Sequence, residues 1–376
     1  MDSTVRQALP AWLFGLPWHV LAALVALGLF GGLVLYSAGG GSLTPWAAPH
    51  LVRFALLGIV MLVLAQTALE LWLRHAYAIY AVLLVALLGV EALGAIKGGS
   101  QRWLDLGLIR LQPSEFIKLA VVLALARYFH LLPRSALTSP RALLPAAGLV
   151  LVPAILVVLQ PDLGTALAII AGGAVVLFLA GLPAWWFGAA LAAALAALPV
   201  AYASLHDYQK KRVLIFLNPE QDPLGSGYHI TQSKIAIGSG GLFGKGFLNG
   251  TQTQLDYLPE MHTDFAFAAM AEEWGLVGGL FVLVMWAIIL VWGLGVSLTA
   301  RSEFARIAAA GLTFTLFFYI AVNLLMVMGL APVVGIPLPL LSYGGSAMMT
   351  VMVTMGLLIC LARHRDREQL GRLAGD

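Results

Sequence analysis

Residues 265–295 read FAFAAMAEEWGLVGGLFVLVMWAIILVWGLG, and every residue after Glu273 in that stretch is apolar or glycine. A helix rises 1.5 Å per residue, so about 20 apolar residues cross a hydrocarbon core of roughly 30 Å. The run is therefore a membrane span, and comparable runs fall near 19–37, 52–72, 76–95, 114–132, 143–160, 164–181, 185–205, 304–330 and 339–362. The expected fold is an all-α polytopic membrane protein of about ten transmembrane helices, one integral membrane domain over residues 1–376.

Composition agrees. The 376 residues are 61% hydrophobic and 10% charged, against about 45–50% and 25% in soluble proteins. The net charge of +3 is spread along the chain without the basic stripe that nucleic acid requires, so nucleic acid is not an expected partner. Cys360 has no second cysteine to pair with and lies in the last apolar run. No small-residue cleavage site ends the first apolar run, which reads as a retained span. No fixed-period repeat is visible.

Two connections are long enough to hold architecture: the stretch around 96–113 and the loop 206–264 between the seventh and eighth helices. Orientation follows from Lys and Arg near the span ends. With both termini in the cytoplasm, Arg6, Arg74, Arg127, Arg134, Arg141, Arg301, Arg306, Arg363, Arg365, Arg367 and Arg372 lie inside. Arg53, Lys97, Arg102 and Arg110 then lie outside with the long loop.

Polar residues beside apolar runs carry the functional information, because an ionisable group at depth costs several kcal/mol unless paired or facing water. Glu115 and Lys118, in Gln112-Pro113-Ser114-Glu115-Phe116-Ile117-Lys118, share a face at i, i+3 after a proline that marks a helix start. They read either as a self-neutralising pair or as a polar site entering the bundle near Arg102 and Trp103. Asp162, in Gln160-Pro161-Asp162-Leu163-Gly164-Thr165, reads as a helix cap or as part of that site. The long loop holds Lys210-Lys211-Arg212, Lys234 and the glycine-rich 238–246. Those glycines could expose amides to a phosphate or act as a hinge. Glu260, His262 and Asp264 precede the 265–295 helix, where Thr263 or Asp264 could cap it. These three could also bind a divalent cation, Mg²⁺ or Mn²⁺, although no diagnostic ligand spacing is present. Prolines at 332, 337 and 339 break the pattern before Ser342-Tyr343-Gly344-Gly345-Ser346, which reads as a cavity wall.

Taken together, Arg102-Trp103, Gln112-Pro113-Ser114-Glu115-Phe116, Gln160-Pro161-Asp162, the glycine-rich loop and Ser342-Tyr343-Gly344-Gly345-Ser346 resemble the SEDS family of bacterial cell-envelope proteins over nearly the whole chain. The stretch from Thr251 to Glu260 is most similar to the elongation branch of that family. The resemblance implies a ten-helix glycosyltransferase at the outer face of the bacterial cytoplasmic membrane. Such an enzyme polymerises lipid II onto the growing glycan strand beside a class B penicillin-binding protein and other elongation-complex membrane proteins. The family's catalytic carboxylate falls on Asp264, which would take the proton of an attacking sugar hydroxyl. Lys118 and Arg212, with Lys210, Lys211 and Arg102, would hold the pyrophosphate leaving group. Trp103, Glu115, Asp162, Lys234, Glu260, His262 and Ser342 complete the expected substrate site, with no certain cofactor beyond the divalent cation considered above. A flippase for the same lipid is the alternative, and a non-catalytic scaffold a third reading.

Overall fold

The computed structural model describes residues 15–93, 95–97, 100–105, 110–133, 139–204, 210, 214–215, 218, 225–255 and 257–373. The chain runs α1 (Trp18–Ala38), α2 (Ala47–Ala65), α3 (Leu69–Leu93), then strands β1 (Ala95–Lys97), β2 (Ser100–Asp105) and β3 (Arg110–Leu111). It continues through α4 (Pro113–Leu131), α5 (Pro140–Leu159), α6 (Leu163–Leu179) and α7 (Ala184–Ser204). The remainder is α8 (Ser226–Gly240), the short α9 (Thr251–Gln254), α10 (Ala266–Thr299), α11 (Glu303–Val327) and α12 (Gly345–Leu373).

Seven of these helices, α1, α2, α3, α5, α10, α11 and α12, are long and apolar enough to cross a membrane. Apolar α6 and α7 are shorter, and α4 has the length but carries Glu115, Lys118 and Arg127. These ten are the ten runs read from the sequence, and the protein is an all-α polytopic membrane protein. Its outer surface exposes Leu56, Ile59 and Val63 on α2 and Val82 and Val85 on α3, as a lipid-facing surface must.

Central to the bundle is α4, buried along most of its length from Pro113 to Phe129 between α3, α6 and α11. Lipid is as apolar as leucine, so helices associate through close packing of small residues rather than through hydrophobic gain. Gly31 of α1 illustrates this, since a Cβ there would lie 2.0 Å from the Leu340 carbonyl oxygen.

Local chemistry sets several boundaries that hydropathy misplaces. The turn after α2 falls at 66–68, inside the expected 52–72 span. There Thr67 Oγ1 donates to the Leu64 carbonyl at 2.6 Å, Trp72 Nε1 donates to Thr67 Oγ1 at 2.8 Å, and Cys360 Sγ lies 3.1 Å from the Thr67 carbonyl. These bonds make a tight turn without glycine or proline. The last span starts at Gly345 instead of near 339, because Ser342 Oγ accepts from the Leu338 amide at 3.0 Å and holds the chain in a turn. Within the 96–113 connection, β1, β2 and β3 form an antiparallel three-stranded sheet, pairing Ile96 with Gln101 and Leu104 with Leu111.

The 265–295 run is not one continuous helix. Gly275 has φ 63° and ψ −156° inside α10, a region open to glycine. The glycine-rich segment after α8 fills the break. Lys245 and Gly246 donate their amides to the carbonyls of Glu272 and Glu273, while Leu276 and Val277 donate to Gly241 and Leu242. The approach is close enough that a Cβ on Gly240 would meet the Ala271 oxygen at 2.0 Å. Gly240 and Gly244 therefore serve backbone contact, and the amides of Lys245 and Gly246 are spent on α10. Glu272 is fully buried, accepting from Lys245 Nζ at 2.7 Å and from the Gln252 and Thr253 amides at 2.9 and 3.2 Å. Replacing it strands those donors. Glu272→Ala is expected to cost about 3 kcal/mol and to lower the melting temperature in detergent by several degrees.

Candidate active site

One end of the bundle collects the sheet, the turn before α6, the segment from α8 to α10 and residues 328–344. Asp264 lies there, in the turns between Leu258 and Phe265, whose own side chains are buried anchors. The turns close through Thr263 and Phe265 amides donating to the Glu260 carbonyl at 3.0 and 3.3 Å. Phe265 is the N-cap residue of α10 and no side chain caps the helix, so neither Thr263 nor Asp264 takes the capping role considered for them. Thr263 Oγ1 instead donates to Glu260 Oε2 at 2.7 Å.

Four elements surround the Asp264 segment. From α11, Asn323 Nδ2 donates to the Asp264 carbonyl at 2.9 Å and to the Ile336 carbonyl at 2.8 Å. In the proline-rich segment, Gly335 has φ +73° and a Cβ there would stand 3.6 Å from Asp264 Oδ2. Ahead of α12, the Tyr343 amide donates to the His262 carbonyl at 2.7 Å. Ahead of α2, Trp46 stacks on the His262 ring at 3.8 Å and meets Tyr343 edge-on at 5.0 Å, and Arg53 lies over the Tyr343 ring at 4.8 Å. Trp46, Arg53 and Asn323 are not among the expected site residues, and Tyr343 enters only through the segment read as a cavity wall. An asparagine within an apolar run is the signal that would have singled out Asn323.

The Asp264 carboxylate has no hydrogen bond or ion pair among the described residues. Burial pushes its pKa up to about 6, and the Glu260 carboxylate adds to the rise. Burial lowers the His262 imidazole, with Glu260 opposing that shift. The Glu260 and His262 side chains are 3.9 Å apart.

A second cluster lies one helical turn along α11. Tyr319, four residues before Asn323, donates to Glu115, while Lys118 Nζ reaches Glu115 Oε1 at 2.7 Å and the Tyr319 hydroxyl at 2.5 Å. The Glu115 and Lys118 pair neutralises itself and sits at the same end of the bundle as Asp264. Asp162 caps α6 by accepting from the Thr165 amide at 3.2 Å, and Gln112 Nε2 lies 3.4 Å from its other oxygen. The two clusters meet through the start of α6, where a Cβ on Gly164 would touch Val334 and Ile336 at 3.2 Å, on either side of Gly335.

The other expected residues stand differently. Trp103 is half-buried on β2 and Ser342 is buried in its turn. Lys234 is exposed on α8, its stem against the position of Gly329. Lys210 Nζ donates to the Ala203 carbonyl at 3.2 Å. Lys211, Arg212 and the side chain of Arg102 lie outside the described residues. Among the described residues no three His, Cys, Asp or Glu side chains converge as metal ligands, so Glu260, His262 and Asp264 do not fit a metal by themselves.

The profile of the FtsW, RodA and SpoVE family, described as cell cycle protein, matches residues 14–367. The chain is 45% identical to the peptidoglycan glycosyltransferase MrdB of Escherichia coli K12 over 349 residues, 92% of this chain and 93% of that protein. Its fold matches a chain solved in a peptidoglycan synthase complex that coordinates polymerization and crosslinking. That match has a TM-score of 0.78 and 31% identity, covering 93% of this chain and 98% of the other. The rod shape determining protein RodA of Thermus thermophilus matches with a TM-score of 0.70 and 29% identity over 95% of this chain and 99% of that one. With the family profile spanning nearly its whole length and these relatives alongside, the chain belongs to the FtsW, RodA and SpoVE family of cell cycle proteins, the SEDS family.

Proposed function

We propose that this peptidoglycan glycosyltransferase polymerises lipid II during cell elongation with Asp264 as its general base. The observation that carries the assignment is the Asp264 carboxylate itself, partly desolvated and without a cationic partner among the described residues. Glu115 and Glu272, by contrast, are neutralised by Lys118 and Lys245. A carboxylate with a pKa near 6 is ionised at neutral pH yet more basic than an ordinary aspartate, which suits it to accept a proton.

In the proposed step a hydroxyl of one sugar attacks the anomeric carbon of another held on undecaprenyl pyrophosphate. Asp264 takes the hydroxyl proton, the new C–O bond forms with inversion, and the bond to the pyrophosphate breaks. Lys118 of α4, bonded to Tyr319 one turn along α11 from Asn323, is the described cation suited to the leaving group. Arg102, Lys210, Lys211 and Arg212 are further cations from the connecting segments, and Trp103, Glu115, Asp162, Lys234, Glu260, His262 and Ser342 are proposed to contact other parts of the substrate. A divalent cation, Mg²⁺ or Mn²⁺, would need substrate oxygens as well as protein ligands, and no step is assigned to it.

Arg74, Arg127, Arg141, Arg301, Arg306 and Arg363 lie at the end of the bundle opposite Asp264. The positive-inside rule then supports cytoplasmic termini and a reaction on the exterior face. A class B penicillin-binding protein is the partner we propose for crosslinking the strands.

Asp264→Asn is expected to fold and to lose at least about 100-fold in lipid II polymerisation, measured with the purified protein and its partner. Wild-type strand synthesis by that variant would refute the assignment, and retained lipid transport without polymerisation would favour a flippase. The base must be ionised, so activity should fall as pH drops through about 6. Glu260→Gln removes a carboxylate that raises Asp264, and should move that acid limb to lower pH.

A further inference from the structure

We propose that Asn323 is a positioning residue for Asp264, clamping the segment that carries the base to the proline-rich segment that faces it. The inference rests on the reading of Asp264 as the general base and adds to it the group that holds that base in place.

Asn323 is fully buried in α11, where apolar side chains would satisfy helix packing. Its amide ties neither helix to helix nor side chain to side chain. Both protons of Nδ2 go to backbone carbonyls of non-helical segments, Asp264 at 2.9 Å and Ile336 at 2.8 Å. Those acceptors fix which way the amide points, since a flip would aim its oxygen at two carbonyl oxygens. The same orientation leaves Oδ1 buried with no protein partner. An arrangement that keeps an unsatisfied acceptor needs a compensating use for the two donors.

The use is visible in what the two carbonyls flank. Next to Ile336, the exposed Gly335 faces Asp264 Oδ2, so one amide sets the distance between the carboxyl and the backbone beside it. Bare backbone at residue 335 and a fixed carbonyl at residue 264 together define where the carboxyl stands. The titratable and charged groups around this unit are Glu260 and His262 on the same segment, Glu115 and Lys118 of α4 with Tyr319 of α11, Asp162 at the start of α6, Arg53 beyond Tyr343, and from α8 His229, 5.8 Å from the Phe265 ring, and Lys234 against Gly329. Both Asn323 donor bonds go to backbone carbonyls, so removing the clamp alters the position of the base without deleting a charge.

The test measures lipid II polymerisation by the full chain with its penicillin-binding partner, for wild type, Asn323→Leu, Asn323→Ser and Asp264→Asn. Leucine keeps the branched skeleton of asparagine, with bulkier methyl groups and no donor; serine is smaller and retains one. A clamp predicts that Asn323→Leu loses about 10- to 100-fold in kcat, the range for a misplaced reacting group, with KM within about twofold. Its acid limb moves from the wild-type position as the carboxyl shifts relative to Glu260 and the facing backbone, and Asn323→Ser falls between. In the Asp264→Asn background Asn323→Leu should cost nothing more. If Asn323→Leu does not fold, Asn323→Ser carries the same comparison. Loss that only follows the amount of folded protein, with the acid limb unmoved, overturns the proposal while leaving Asp264 as the base. Wild-type turnover by Asp264→Asn would instead remove the base assignment and this inference with it.

Discussion

Inside hydrocarbon an unpaired amide or carbonyl has no water to turn to, and each one costs several kcal/mol. Wherever this chain leaves regular helix near the membrane, protein must supply the missing bonds. The break at Gly275 is repaired by backbone from residues 241–246, and the segment before α12 is held by Ser342 and Asn323. Irregular backbone, which alone can aim loop side chains at a substrate, is therefore permitted only where other segments lie against it. That restriction brings the Asp264 turns, the 331–344 segment and the start of α6 together at one end.

The same scarcity of water sorts the carboxylates. Glu272 is wrapped by two amides, two hydroxyls and a lysine, and Glu115 is held by Lys118 and Tyr319. Carboxylates compensated this fully hold elements together and are poorly placed to accept a proton. Asp264 receives its restraint through the backbone instead, from Asn323 on its own carbonyl and Tyr343 on that of His262. Positioning without neutralising keeps the carboxylate basic while it stays in place, which is the condition a general base requires.

The lysine and arginine distribution adds a further constraint, because it separates the two ends of the bundle by role. Arg127 donates to the Leu73 carbonyl at 2.9 Å and stacks on Tyr77, and Arg363 reaches Gln66 at 2.5 Å. Both cations finish helix ends far from Asp264. Nearer Asp264, Arg53 rests on an aromatic ring as Arg127 does, and Lys118 shares its carboxylate with a phenol.

Hydropathy alone determined the ten apolar runs and the fold class, because the thickness of hydrocarbon sets a length that a sequence can be measured against. Local motifs determined more: Pro113 opens α4, Asp162 caps α6, and the i, i+3 spacing of Glu115 and Lys118 makes them a pair. The sequence also marked Glu260, His262 and Asp264 as too many titratable groups for one helix start. Only tertiary structure decided that Asp264 is the one left uncompensated, that Gly240 and Gly244 serve backbone contact with α10, and that Asn323, Tyr319, Trp46 and Tyr343 converge on the site. Each of those outcomes depends on which segments meet across the bundle, from residues tens or hundreds of positions apart. Periodicity and spacing report on neighbours along one helix, whereas desolvation and hydrogen-bond satisfaction depend on every chain segment packed around a group.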